Sequence, residues 1–141
     1  MKILRLLCVT FLLLASSHGW AQRMPVPIIN HQDVAINRPS GKPLSAEEVK
    51  QAIMAAAVAG PRKWQISEPG ADRMVATYHV RTHTIVTEIR YSPERFSVVY
   101  RDSVNMKYAP GQGQDAGVIH PFYNQWVREL MDAIVQQVSK T

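Results

Sequence analysis

Apolar side chains recur every three to four residues at Val49, Ala52, Ile53 and Ala56. That spacing sets a single stripe along an α-helix. Ser45 and Glu48 form an S-x-x-E capping box in front of it. The serine oxygen takes the free amide three residues on, and the glutamate reaches back. Leu44 and Val49 stand where a hydrophobic staple closes, and Gly60-Pro61 ends the helix. The inner face is mostly alanine, so the axis can lie close to its partner and the helix is expected to pack tightly on a sheet.

The period then falls to two. Lys63 to Ser67 reads as a short strand with Trp64 and Ile66 on one face, closed by a Pro69-Gly70-Ala71-Asp72 turn. Arg73 to Arg81 alternates Met74, Ala76, Tyr78 and Val80 against Val75, Thr77 and His79. Thr82-His83 is a tight connection to a third strand, Thr84 to Tyr91, rich in β-branched residues. Ser92-Pro93-Glu94-Arg95 turns the chain into a fourth strand from Phe96 to Arg101, with a bulged continuation toward Tyr108. Links this short join antiparallel neighbours. After a glycine-rich loop, Ala109 to Gly117, Pro121 suits a first helical turn. Phe122, Tyr123, Trp126, Val127, Leu130, Ile134 and Val138 return to the helical period.

Each strand has one apolar face and each helix one apolar stripe. The economical architecture is an α+β two-layer domain. A four-stranded antiparallel meander carries the N-terminal and C-terminal helices on one face, in the order α-β-β-β-β-α. No internal repeat is visible.

Ahead of this domain, residues 44–141, the pattern is different. Lys2 and Arg5 precede an apolar run from Leu6 through Ala15, broken only by Thr10. That run is shorter than the roughly 20 residues that span a bilayer. Gly19 and Ala21 put small residues at −3 and −1 of a cut after Ala21. Residues 1–21 therefore read as a cleavable signal peptide, and the mature chain is expected in the periplasm or outside the cell. Residues 22–43 hold Pro25, Pro27, Pro39 and Pro43 with little apolar periodicity, so they read as an extended tether. An edge strand using Val26, Ile28 and Ile29 is the alternative.

Composition narrows the class further. The chain has 141 residues, a single-domain length, and one cysteine, Cys8, inside the apolar run. The mature domain is thus expected to stand without disulfides, on its core alone. With Lys2 and Arg5 set aside, the 16 basic residues become 14 against 11 acidic ones, a net +3. No basic run tracks nucleic acid, and no nucleic-acid partner is expected. Arg90, Arg95 and Arg101 are spread over two strands and read as solvated surface, with a patch for phosphate or lipopolysaccharide as the alternative.

Several segments together carry a resemblance. They are Trp64-Gln65-Ile66, the Pro69-Gly70 turn, His83-x-x-Val86 leading to Ile89-Arg90-Tyr91, Val98-x-Tyr100-x-Asp102-Ser103-x-Asn105, and Ile119-His120-x-x-Tyr123-Asn124-x-Trp126. In order and spacing the chain resembles a group of small exported proteobacterial proteins, often lipoproteins, with no established activity. The resemblance spans residues 45–138. It implies export and the domain layout, and it supplies no catalytic residue. The chain departs from the lipoprotein members in lacking a cysteine at the cut site.

Candidate chemistry gathers where the fourth strand ends and the last helix begins. Asp102, Ser103, Asn105, His120, Tyr123 and Asn124 are the polar residues there. One reading is a polar binding pocket. Its extreme form is a small hydrolase in which Ser103 attacks, His120 takes the proton and Asp102 orients the imidazole. The other reading is structural: Asp, Ser and Asn bond turn backbone, and His120 or Asn124 pins a loop to the helix start. A G-x-S-x-G elbow is absent. His79 and His83 are weak metal candidates, because H-x₃-H gathers a metal on a helix and this segment reads as strand and turn. The loop Gly111-x-Gly113-x-x-x-Gly117 lacks the dinucleotide spacing and any βαβ context. It reads as a flexible loop, with a lid or contact loop as the alternative. Tyr78, Tyr91, Tyr100, Tyr108 and Tyr123 read as core or half-buried packing at alternating strand positions, with a cleft lining as the alternative. No cofactor is expected. The sequence points to a non-catalytic binding or envelope accessory module that meets an envelope protein, peptide or glycan. A metal or ligand scavenger using His79 and His83 is a further alternative.

Overall fold

A computed structural model describes residues 23–141. The signal-peptide pattern lies outside the described residues. Nine elements follow in order: β1 (Val26–Pro27), β2 (His31–Ala35), α1 (Ala46–Ala59), β3 (Gln65–Gly70), β4 (Arg73–Val80), β5 (His83–Tyr91), β6 (Arg95–Val104), β7 (Val118–Ile119) and α2 (Phe122–Lys140). The main sheet is antiparallel, in the order β2-β6-β5-β4-β3, and β1 pairs with β7 in a separate two-stranded ribbon.

The helix starts and the alternation form as the residues dictate. At α1 the Glu48 amide donates to Ser45 Oγ at 3.2 Å, and the Ser45 amide donates to Glu48 Oε2 at 2.7 Å. Both halves of the capping box are present. Val49, Ala52, Ile53, Ala56 and Ala57 are the buried stripe of α1. Tyr123, Trp126, Val127, Leu130, Ile134 and Val138 are that of α2. Sheet residues Met74, Ile85, Ile89, Phe96 and Val98 are each at most 1% exposed and belong to the same core. Antiparallel register puts them on one face: Met74 opposes Ile89, and Ile89 opposes Val98. Both helices therefore lie on that face, with α1 packed beside α2. Tyr78 joins the layers by ring contacts at 5.4 Å to both Trp64 and Trp126.

The four-stranded expectation is corrected to five strands. The added strand, β2, comes from the segment read as a tether, so residues 22–43 are not a free linker throughout. His31 opposes Val98, while Val34 and Ala35 oppose Phe96 and Arg95. A bulge between His31 and Val34 breaks the alternation, and Asp33 sits at φ +52°. Side chains fill in for the ladder. The Tyr100 amide donates to Asn30 Oδ1 at 2.8 Å, and the Asp33 amide donates to Ser97 Oγ at 2.9 Å. Of the alternative edge strand through Val26, Ile28 and Ile29, only Val26–Pro27 forms a strand, and it pairs with β7 and not with the main sheet.

Boundaries shift elsewhere by a few residues. The first strand of the meander is Gln65–Gly70, so Pro69 and Gly70 lie in β3 and the turn is Ala71-Asp72. The fourth carries the expected bulge, between its partners Val86 and Thr87, and ends at Val104. The glycine-rich loop is closed on itself. Ala109 and Val118 exchange backbone hydrogen bonds of 3.0 and 2.9 Å, and the Gly117 amide donates to Asp115 Oδ1 at 2.9 Å. Gly117, at φ +93°, is required there, because a Cβ would stand 2.2 Å from the Ala109 carbonyl oxygen. Among the described residues, no helix is long and apolar enough to cross a membrane.

Candidate functional site

The polar residues at the β6 end and the α2 start are held in separate local arrangements. Asp102 Oδ1 accepts the Ser103 amide at 2.7 Å. Ser103 Oγ shares a hydrogen bond with the Tyr100 hydroxyl at 3.0 Å. Asn105, at φ +56°, donates from Nδ2 to the Thr82 carbonyl at 2.8 Å. That bond fastens the end of β6 to the β4–β5 turn. His120 Nδ1 accepts the Phe122 amide at 3.2 Å, which makes Nε2 the protonated nitrogen of the neutral ring. Among the described residues, no hydrogen bond joins His120 to Asp102 or Ser103, and the only one between Asp102 and Ser103 is to the Ser103 backbone amide, not to its hydroxyl.

Tyr123 and Asn124 have different jobs. Tyr123 is fully buried in the core, its ring edge-on to Tyr100 at 5.5 Å. Its hydroxyl has no partner among the described residues, and burial pushes its pKa well up. Asn124 clamps the N-terminal segment. Its Nδ2 donates to the Pro27 carbonyl at 2.8 Å, and its Oδ1 accepts the Ile29 amide at 3.0 Å. Arg23 lies over the Phe122 ring at 4.6 Å, and Phe122 in turn packs on His120. Burial, then Lys107, His83 and Arg23, hold the His120 pKa below its ordinary value. An imidazolium there could not accept the Phe122 amide.

His79 and His83 diverge. His79 opposes Thr84, and its Nδ1 lies 2.9 Å from Thr84 Oγ1. His83 opposes Val80 on the next position of the ladder, so its side chain points to the other face. Its Nδ1 bonds the Asn105 carbonyl at 2.8 Å and must carry the proton, since a carbonyl only accepts. Among the described residues, no three His, Cys, Asp or Glu side chains gather to hold a metal ion.

A concavity lies elsewhere among the described residues, on the sheet face opposite the helices. None of Val75, Thr77, Val86, Glu88, Ser97 and Val99, the middle of that face, is fully buried. A cleft of about 610 Å³ opens between β2 and the β5–β6 pair, lined by Asn30, Gln32, Asp33, Arg90, Arg95 and Ser97, with Val99 and Tyr100 behind them. Arg90 and Arg101 flank Glu88 at 2.6 and 3.8 Å. Arg95 lies 4.0 Å from Asp33. Arg73 stands directly opposite Arg90 in the β4–β5 ladder. The arginines were visible in the sequence. Asn30, Gln32 and Asp33 were not, because the bulge that aims them leaves no alternation to read.

Comparison with protein-family models, with curated proteins and with solved structures finds no match to this chain.

Proposed function

We propose that this chain is an exported, non-catalytic binding or envelope accessory module, and that it meets its partner through the uncovered face of the five-stranded sheet. The observation that carries this reading is the contrast between that face and the polar cluster. Asp102, Asn105, His120 and Asn124 are engaged with backbone groups, and Ser103 with Tyr100. The uncovered face instead offers unburied side chains around a cleft of about 610 Å³. A sheet face without a covering layer is a natural contact surface.

The sheet edges support the face over strand addition. β3 carries Pro69 and an irregular register between Ser67 and Gly70. β2 is short, bulged and kinked at Asp33. Such devices blunt an edge against a further strand.

Export rests on the order of charge, apolar run and small residues up to Ala21. The reading is tested by expressing the full chain with a C-terminal tag and fractionating the cells. The expected product is a periplasmic or secreted chain whose N-terminus is Gln22. An unprocessed chain soluble in the cytosol contradicts it. Capture from envelope extract is the second arm. Thr77→Lys with Val86→Lys, a pair on the uncovered face, should abolish specific capture without changing the melting temperature by more than a few degrees.

A further inference from the structure

We propose that the cleft between β2 and the β5–β6 pair binds an acidic oligosaccharide, with Arg90 and Arg95 gripping its acid group. The proposal rests on the reading of the uncovered face as the binding face and names the ligand class for it.

Charge is the first argument. Arg90 and Arg95 both line the cleft, and both side chains are more than half exposed. Arg73 faces Arg90 directly across the ladder and has no ion pair among the described residues. Like charges directly opposed on a sheet are unfavourable. Glu88 engages the Nε of Arg90, which leaves the outer nitrogens of that guanidinium for a ligand. A guanidinium takes a carboxylate or phosphate through two parallel hydrogen bonds, and the acid would relieve the Arg73–Arg90 repulsion as it binds.

The neutral lining is the second argument. The Gln32 amide makes no hydrogen bond among the described residues, and Asn30 uses only its oxygen, on the Tyr100 amide. These amides and the Ser97 hydroxyl match sugar hydroxyls as donors and acceptors. A peptide partner would call for an apolar anchor pocket or a free strand edge. The bulge in β2 removes the free edge, and the apolar lining is the nearly buried rings of Phe96 and Tyr91 with half-buried Val99 and Tyr100.

The test titrates the purified full chain with trigalacturonic acid and follows backbone amide resonances. Maltotriose, triglutamate and inorganic phosphate serve as comparison probes. Saturable shifts at Gln32, Arg90, Arg95 and Ser97 are expected with the acidic trisaccharide, weakening with added salt. Affinity should fall about tenfold or more in Arg90→Gln and in Arg95→Gln, the loss typical of a charged hydrogen bond. It should also fall in Gln32→Leu, and stay unchanged in Arg128→Gln, which removes the same charge from the exposed side of α2. No binding of the acidic trisaccharide, equal binding of maltotriose, equal or tighter binding of triglutamate or phosphate, or an equal loss in Arg128→Gln would each overturn the proposal. Capture from envelope extract that still depends on Thr77 and Val86 would then leave the binding face standing. Shifts confined to the helical layer would remove both.

Discussion

The two faces of the main sheet are built from the same strands, residue by residue in alternation, yet they answer to different demands. Met74, Ala76, Ile85, Ile89 and Val98 on one face have no exposed surface and share a core with both helices. Their neighbours one step along, Val75, Thr77, Val86, Glu88 and Val99, keep part of their surface open. The first set is chosen by volume and shape, because burial and close packing supply most of a small domain's stability. The second set is free of that demand, and there the arginines, amides and hydroxyls collect. A face that contributes little to folding can be varied to suit a partner.

The largest expected effect falls on the covered face. Phe96→Ala or Trp126→Ala should cost about 3–5 kcal/mol, a large share of the about 5–15 kcal/mol net stability of a domain. Chemical denaturation followed by tryptophan fluorescence or circular dichroism reads the loss. Next comes the glycine-rich loop. Gly117→Ala should cost about 2–4 kcal/mol, since the added Cβ meets the Ala109 carbonyl oxygen and the backbone stays at positive φ. Asn124→Ala should cost about 1–2 kcal/mol through two lost backbone bonds. Its mark should be local: faster hydrogen exchange at Ile29 than in β4 or β5. The Arg90→Gln and Arg95→Gln changes on the uncovered face should stay within about 0.5 kcal/mol of the parent in denaturant. A loss as large as that of Phe96→Ala would erase the distinction between the faces.

The smallest effect is on pH dependence. Burial, then Arg128, lowers the His31 pKa against the opposing pull of Asp132. Burial, then Lys107, His83 and Arg23, lowers that of His120. The unfolded chain therefore takes these protons first as the solution is acidified. Stability should be complete above pH 6.5 and decline as pH falls below it, until the folded histidines also protonate. The Glu48 carboxyl, held low by its bonds to Ser45, contributes only at a lower pH. Melting temperatures between pH 7.5 and 5.5, for the parent and for His31→Gln with His120→Gln, check the slope. The variant should be flatter.

How far the sequence was readable follows from the same contrast. The covered face and both helices repeat a clean period, and Ser45, Gly60 and Pro121 punctuate it, so the α+β layout and the antiparallel meander were legible. β2 was not, because His31-Gln32-Asp33-Val34-Ala35 has no alternation. Its pairing is completed by Asn30, Ser97 and a bulge. Missing β2 also hid the cleft, whose rim it forms. At the β6 end the residue types were legible and their partners were not. Asn124 binds chain 95 and 97 positions away, a contact that no local pattern encodes. His79 and His83 suggested a pair by spacing, and the strand's alternation sends them to opposite faces.

The central claim is that partner contact is confined to the uncovered sheet face, and valine methyl spectra test it most directly. Val75, Val86 and Val99 report on that face, while Val58 and Val135 are exposed on the helices. On adding solubilised envelope extract, the account predicts shifts or broadening at Val75, Val86 and Val99, with Val58 and Val135 unmoved. A response at Val58 and Val135 with the sheet valines unchanged, or no response at either set, would contradict it.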